Sequence, residues 1–298
     1  MTIPQDFSLD RLAARRHFAR SAPHADEAGF LAREVAQRMA ERLTYIRHEP
    51  RRLLDAGCGI GPDFALLGER YPQAERIGVD YALPLVRMAR GERSFFQRLL
   101  GGARDTDPRL ICGDVEALPL ARASVQMVWS NLMLNWLADP MPAIREMHRV
   151  LEVGGMLMFS TLGPDTLKEL RAVMPSSAGE RVHRFIDMHD LGDCLVKAGF
   201  SEPVMDMETI TLTYTDLDGL LADLRRAGAT NVSTARPRGL AGKGGWARAR
   251  AAYDELRQNG RLPASFEVIY GHAWKAAPRT TEDGRSVIQF KPRPEGGS

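Results

Sequence analysis

The chain has 298 residues, 44% of them apolar and 26% charged, with a formal net charge of +2. That length can bury an ample core in one large or two small domains, and so small a charge lacks the polyelectrolyte signature of a nucleic-acid binder. No long apolar run opens the chain, so neither a secretory leader nor a membrane span is expected; Cys58, Cys112 and Cys194 stand apart without C-x-x-C or zinc-like spacing, which points to a reducing, cytoplasmic setting.

In chain order, residues 8 to about 47 read as a helical segment, because Leu31, Val35, Met39, Leu43 and Ile46 recur at helical spacing. Strand patterns at Arg52–Ala56, Arg76–Val79, Leu110–Cys112, Val125–Trp129 and Met156–Leu162 then alternate with helical patterns at Pro62–Arg70, Leu83–Arg90 and Pro140–Leu151. Such alternation predicts a parallel, doubly wound α/β sheet. Gly154-Gly155 is expected to close the last of these helices in left-handed backbone. Residues 91–108 read as a long polar connection with a helical start at Ser94–Leu100. Beyond residue 163, helices are expected at Asp165–Met174, His189–Ala198, Asp216–Ala227 and Trp246–Asn259, with antiparallel sixth and seventh strands at Val204–Tyr214 and Ser265–Trp274. The polar tail holds one strand-like run, Ser286–Phe290. The chain thus divides into an N-terminal helical lid (1–50), a core (51–163), a stretch of helices, insertion and last two strands (164–275), and a tail (276–298).

The first strand carries the strongest signal. Leu53-Leu54-Asp55-Ala56-Gly57-Cys58-Gly59-Ile60-Gly61 runs from apolar residues into an acid and three alternating glycines, as where a strand turns tightly into a helix. Glycine allows positive φ and lets a ligand approach where a Cβ would clash. A Walker-type phosphate loop would need Gly-Lys-Ser/Thr at its end, which is missing, and the spacing is not G-x-G-x-x-G. An Asp before G-x-G-x-G instead resembles the cofactor loop of S-adenosylmethionine-dependent methyltransferases, in which the acid faces the cationic methionine end. Asp80 ends the next strand, 25 residues after Asp55, the spacing of one βαβ step whose acid bonds ribose hydroxyls. The resemblance implies that Asp114 and its neighbour Val115, after the third strand, read the adenine amino group and ring nitrogen. Asp55, Gly57, Gly59, Gly61, Asp80, Tyr81, Asp114, Val115 and Asn131 are therefore the expected cofactor-binding residues.

Narrower motifs follow: Ser130-Asn131-Leu-Met-Leu-Asn135-Trp136, Asp165-Thr-Leu-Lys-Glu-Leu-Arg171, Gly228-Ala-Thr-Asn231 and Phe266-Glu-Val-Ile-Tyr-Gly271. Together, over roughly residues 15–275, these resemble the malonyl-[acyl-carrier protein] O-methyltransferases of biotin synthesis. The resemblance implies a seven-stranded, Rossmann-like methyltransferase fold with an N-terminal helical lid and a helical insertion before the last strand. It also implies transfer of a methyl group from S-adenosylmethionine to the free carboxylate of a malonyl thioester, giving the ester that starts pimeloyl chain synthesis. The N-terminal helix and Thr161–Arg171 are similar as well to complex I assembly-factor relatives, which act on a protein arginine.

A carboxylate is already ionised near neutrality, so this chemistry needs approach geometry and desolvation and no general base. A cation is expected to hold it. On a helix starting at Asp165, Leu167, Leu170 and Met174 form one stripe. Arg171 lies about 40° from Leu167 at roughly 100° per residue, which puts it on the buried side. Asn131 and Trp136 are expected to line the methyl channel. An acidic carrier protein would meet a basic rim, best supplied by Arg225, Arg226, Arg236, Arg238, Lys243, Arg248 and Arg250. His183 and His189, near Asp187 and Asp190, match no metal-ligand spacing, and no metal is expected.

Overall fold

The computed structural model describes residues 8–91, 107–174, 179–237, 239 and 242–277. The polar connection's helical start at Ser94–Leu100, the run Ser286–Phe290 and Arg238 lie outside them. Seven strands form one sheet in the order β3-β2-β1-β4-β5-β7-β6. They are β1 (Arg52–Ala56), β2 (Glu75–Asp80), β3 (Arg109–Cys112), β4 (Val125–Ser130), β5 (Leu151–Leu162), β6 (Phe200–Tyr214) and β7 (Leu262–Lys275). The first five pair in parallel. β7 lies antiparallel to both β5 and β6, so β6 shares the direction of β5 and only β7 is reversed. The sixth and seventh strands are thus antiparallel to each other, as expected.

Alternation along the strands sorts side chains into two cores. Leu53, Met127, Met156 and Met158 face one layer and Leu54, Val128, Leu157 and Phe159 the other, because successive residues of a strand point to opposite faces. On the first face pack α3 (Phe30–Arg42) through Val35 and Met39, and α4 (Asp63–Arg70) through Leu67. On the second packs α6 (Met141–Val150), through Ala143, Ile144, Met147 and Val150. Between β2 and β3 lies α5 (Leu83–Ala89).

The N-terminal helical segment is interrupted. It comprises α1 (Arg11–Ser21), a 3₁₀ turn at Ala22–His24 containing Pro23, α2 (Ala25–Ala28) and then α3. Gly29 makes the break: a Cβ there would stand 2.9 Å from the Ala25 carbonyl oxygen. Gly154-Gly155 also departs from expectation. α6 ends at Val150, Leu151 is already extended, and Gly154 (φ 79°) falls where the β4–β5 register shifts between Leu151 and Met156. These glycines bulge a strand instead of ending a helix.

After β5 come α7 (Lys168–Val173) and α8 (Met188–Lys197); α9 (Leu217–Arg226) and α10 (Lys243–Asp254) form the insertion between β6 and β7. α7 begins three residues later than expected because Leu167 is left-handed (φ 54°), its amide drawn to the Ser265 carbonyl of β7 at 2.6 Å.

Candidate active site

A cavity of about 300 Å³ opens among the loops that follow β1, β2, β3 and β4. Between β1 and β4 the strand order reverses, the place where open α/β sheets bind ligands. β1 ends on Ala56, just past Asp55, and the chain turns at once. The Gly57 and Cys58 amides donate to the Val79 carbonyl at 2.8 and 3.1 Å, and Gly61 closes the turn on Cys58 at 2.7 Å. Gly57, Gly59 and Gly61 have φ of 89°, 54° and 77°, a region in which a Cβ is strained.

The glycines have different work. Gly59 lines the cavity and a Cβ on it would meet nothing within 4 Å, so the space it leaves belongs to the cavity. Gly61 does not line the cavity, and its Cβ would stand 2.6 Å from the Phe64 ring. Close packing of the loop on α4 is what demands a glycine at position 61, expected from the sequence as a cofactor contact.

Three carboxylates converge beneath this loop. Asp55, Asp63 and Asp80 are 2%, 4% and 7% exposed, and all three line the cavity. Asp80 accepts the Gly59 amide at 3.0 Å and the Ala82 amide at 2.8 Å, which locks its orientation. Asp63 accepts from the Trp129 indole at 2.7 Å and the Asn131 amide nitrogen at 3.2 Å, both on Oδ2. Asp55 accepts no hydrogen bond from any described residue. Burial raises the pKa of all three, and that of Asp55 rises well above the usual range because it also faces the charges of Asp63 and Asp80.

Among the described residues of the cavity lining, no free cation offsets this charge. Arg11 is the only Lys or Arg among them, and its guanidinium is held elsewhere. It donates to both Asp114 oxygens at 2.8 and 2.7 Å and pairs with Glu116. This contact lays α1 over the β3 loop, beside Tyr81 and the buried Val115, which also line the cavity. Phe18 of α1 stands edge-on to Tyr81 and Trp136, with ring centroids 6.4 and 4.8 Å away.

The rest of the lining is mostly apolar, with Phe30, Leu132, Leu162, Phe185, Leu224 and Phe266 beside Thr166, Tyr214 and Asp223. Asn131 and Trp136 both line the cavity. Asn131 is fully engaged: its amide nitrogen also donates to the Ala32 carbonyl at 2.9 Å, and its oxygen accepts from the Ser160 hydroxyl at 2.8 Å. Arg171 is not in the wall. It is exposed, and its guanidinium donates to the Pro164 and Thr166 carbonyls at 2.8 and 3.2 Å. Since α7 starts only at Lys168, the helical phase counted from Asp165 does not apply, and the expected buried placement of Arg171 is corrected.

Sequence reasoning missed Asp63, Phe18 and the aromatic pair His183 and Phe185. An acid in the first turn after the glycine loop was the available signal for Asp63. His183 is 5% exposed and lines the cavity, and burial together with the Arg171 charge pushes its pKa down to about 4. His189 lies outside the cavity lining and, with its ring on Asp187, completes the N-cap of α8. Among the described residues, no group of three His, Cys, Asp or Glu side chains is arranged to hold a metal. No described helix is long and apolar enough to cross a membrane.

Of the basic rim, Arg236 pairs with Asp10 and Arg250 with Asp218, at 2.8 and 2.9 Å. Arg225, Arg226, Lys243 and Arg248 are exposed. The first two stand in the last turn of α9, beside the cavity-lining Leu224 and Ala227.

Residues 54–159 match the family described as Methyltransferase domain. The chain is 51% identical over 286 residues to the malonyl-[acyl-carrier protein] O-methyltransferase of Gallionella capsiferriformans, covering 95% of this chain and 97% of that one. It is 49% identical over 297 residues to the protein of the same name from Laribacter hongkongensis, covering 97% and 99%. Among solved structures, the YcgJ protein of Bacillus subtilis aligns with a TM-score of 0.56 at 18% identity, covering 83% of this chain and 100% of that one. That likeness extends to the fold alone.

Proposed function

The chain belongs to the malonyl-[acyl-carrier protein] O-methyltransferases, and from that premise we propose that its cavity brings the free carboxylate of a malonyl thioester, borne on acyl carrier protein, to the methyl of S-adenosylmethionine. The product is the methyl ester. One observation carries the reading: three buried carboxylates line a mostly apolar cavity in whose described lining no Lys or Arg is uncommitted.

The carboxylates fit the cofactor. Asp55, buried and without a hydrogen-bond donor, is matched by the ammonium of the methionine end. Asp80, its outer lone pairs still free after accepting two amides, takes the ribose hydroxyls, with Tyr81 beside it. Asp114 and Val115 take the adenine edge, and the bare backbone at Gly59 admits close approach. When bound, S-adenosylmethionine supplies an electrophilic methyl on a sulfonium. Asn131, held from three sides, fixes the loop that borders the methyl channel with Trp136.

The apolar lining suits the acceptor. A carboxylate and a sulfonium both lose charge in this reaction, so surroundings that stabilise separated charge favour the ground state over the transition state. Phe30, Leu162, Phe185 and Phe266 exclude the water that would solvate the nucleophile. A guanidinium clamped on the carboxylate would work against this. Arg171 acts instead as a positioning residue, fastening the Pro164–Thr166 turn whose Thr166 and Leu167 line the cavity. The name shared by the relatives favours a carboxylate over a protein arginine as the acceptor. Arg225 and Arg226, exposed beside the cavity-lining Leu224 and Ala227, receive the acidic carrier.

The test is incubation with methyl-labelled S-adenosylmethionine and malonyl carrier protein, beside acetyl carrier protein, which lacks the second carboxylate. A labelled methyl ester on the malonyl species only is expected. Folded protein that binds S-adenosylhomocysteine but forms no ester would refute the proposal.

A further inference from the structure

The segment between α7 and α8 places His183 in the cavity wall. Its ring stands edge-on to Trp136, with centroids 5.5 Å apart, and tilts against Phe185 at 4.7 Å. Within this aromatic setting its Nε2 is sealed from solvent and meets no hydrogen-bond partner among the described residues. A buried polar atom left without a partner carries a free-energy cost that a ligand group can relieve. Trp136, against whose ring it stands, also lines the cavity.

Resting on the function proposed above, we propose that His183 is a positioning residue for the acceptor: a ring N–H donates a hydrogen bond to the carboxylate oxygen of the malonyl thioester that is not methylated. An imidazole kept neutral by burial and by Arg171 suits this task. It orients an anion without contributing the full opposite charge that would stabilise the ground state. No proton moves. The second carboxylate oxygen forms the O–CH₃ bond, the S–CH₃ bond breaks with its electron pair remaining on sulfur, and anion and sulfonium become ester and thioether. The same contact selects for acceptors with a carboxylate at malonyl length, since an acetyl group leaves Nε2 unpartnered.

The experiment compares wild-type protein with H183F, which keeps an aromatic ring but no donor, and with H183Q, which restores an N–H near the Nε2 position. Ester formation from malonyl carrier protein is measured alongside S-adenosylhomocysteine affinity. H183F should lower kcat/KM about tenfold to a hundredfold, with S-adenosylhomocysteine affinity within about twofold of wild type, and H183Q should recover most of the loss. Wild-type rates in H183F would overturn the assignment, and so would a loss in H183F that H183Q does not reduce. Should H183F fail to bind S-adenosylhomocysteine, wild-type protein carrying ¹⁵N-histidine decides. Its His183 ring resonances should shift on adding malonyl carrier protein to the S-adenosylhomocysteine complex, and unchanged resonances would overturn the assignment. A wild-type protein that makes no ester at all overturns the function and this inference together.

Discussion

Gly59→Ala and Gly61→Ala make a matched pair, because one methyl enters the cavity and the other enters the protein. Both positions have left-handed backbone, at φ 54° and 77°, where an L-residue costs about 1–2 kcal/mol. At Gly59 nothing is added to that, since no atom lies within 4 Å of the new Cβ. At Gly61 the methyl arrives 2.6 and 2.8 Å from two carbons of the Phe64 ring, and overpacking of that kind costs about 1–3 kcal/mol more. Gly61→Ala should therefore melt below Gly59→Ala, which itself melts slightly below wild type. Binding should show the opposite order. Gly59→Ala should bind S-adenosylhomocysteine at least tenfold more weakly by calorimetry, about 1.4 kcal/mol, whereas the folded Gly61→Ala protein stays within a few-fold of wild type. Wild-type affinity in Gly59→Ala, or weaker binding in Gly61→Ala than in Gly59→Ala, would refute the placement of the cofactor against this loop.

Asp55→Asn should separate stability from binding. The pKa of Asp55 is raised by burial and by its two acidic neighbours, so the native state holds its proton more tightly than the unfolded chain. Stability without cofactor therefore falls as pH climbs from the ordinary carboxylate value, about 3.9, through the raised native one. Asp55→Asn should flatten this slope and raise the melting temperature near neutrality while weakening S-adenosylhomocysteine binding; pH-dependent melts and calorimetry report both, and a variant that binds normally contradicts the assignment. Trp129→Phe removes the indole donor from buried Asp63, a loss of about 2 kcal/mol and roughly 4–8 °C in melting temperature; an unchanged melt would show that the bond is dispensable. Reversing Arg225 and Arg226 together to Glu should raise KM for malonyl carrier protein several-fold with kcat little changed, and should remove the weakening by added salt that wild type shows. A KM insensitive to both charge and salt would place the carrier elsewhere.

What was legible in the sequence depended on whether a pattern was local. β1 and the buried face of α3 stand where apolar spacing put them, because both bury whole runs against the sheet. Asp55, Asp80 and Asp114 could be singled out because each stands at or just past the end of a strand marked by apolar residues. Leu167 had no such mark: an apolar residue takes left-handed backbone here because the Ser265 carbonyl, almost a hundred positions away, claims its amide at 2.6 Å. That tertiary bond turned the phase of α7 and moved Arg171 out of the wall. Gly154 carried an ambiguous signal, since a glycine after a helical pattern suits a helix cap and a bulge equally well. His183 and Phe185 fall in an irregular segment, where no periodicity says which side chains turn inward.

The motifs that pointed most narrowly to the family prove to be joints. Glu169 accepts from the Ser265 hydroxyl and amide at 2.5 and 3.1 Å, and Glu267 accepts the Asp165 amide at 2.6 Å, so the Asp165–Arg171 stretch is stitched to β7. In the turn Gly228–Asn231, Thr230 meets His17 of α1 at 2.6 Å and Asn231 donates to the Glu180 carbonyl at 2.5 Å. A Cβ on Gly228 would stand 2.7 Å from the Ser21 hydroxyl of α1. These bonds tie α1, the insertion and the His183 segment together around the cavity. A methyl transfer that consumes opposite charges needs neither a base nor a nucleophilic side chain; it needs a dry enclosure of fixed shape. In this chain that shape rests on the clasps made by Glu169, Glu267, Thr230 and Asn231.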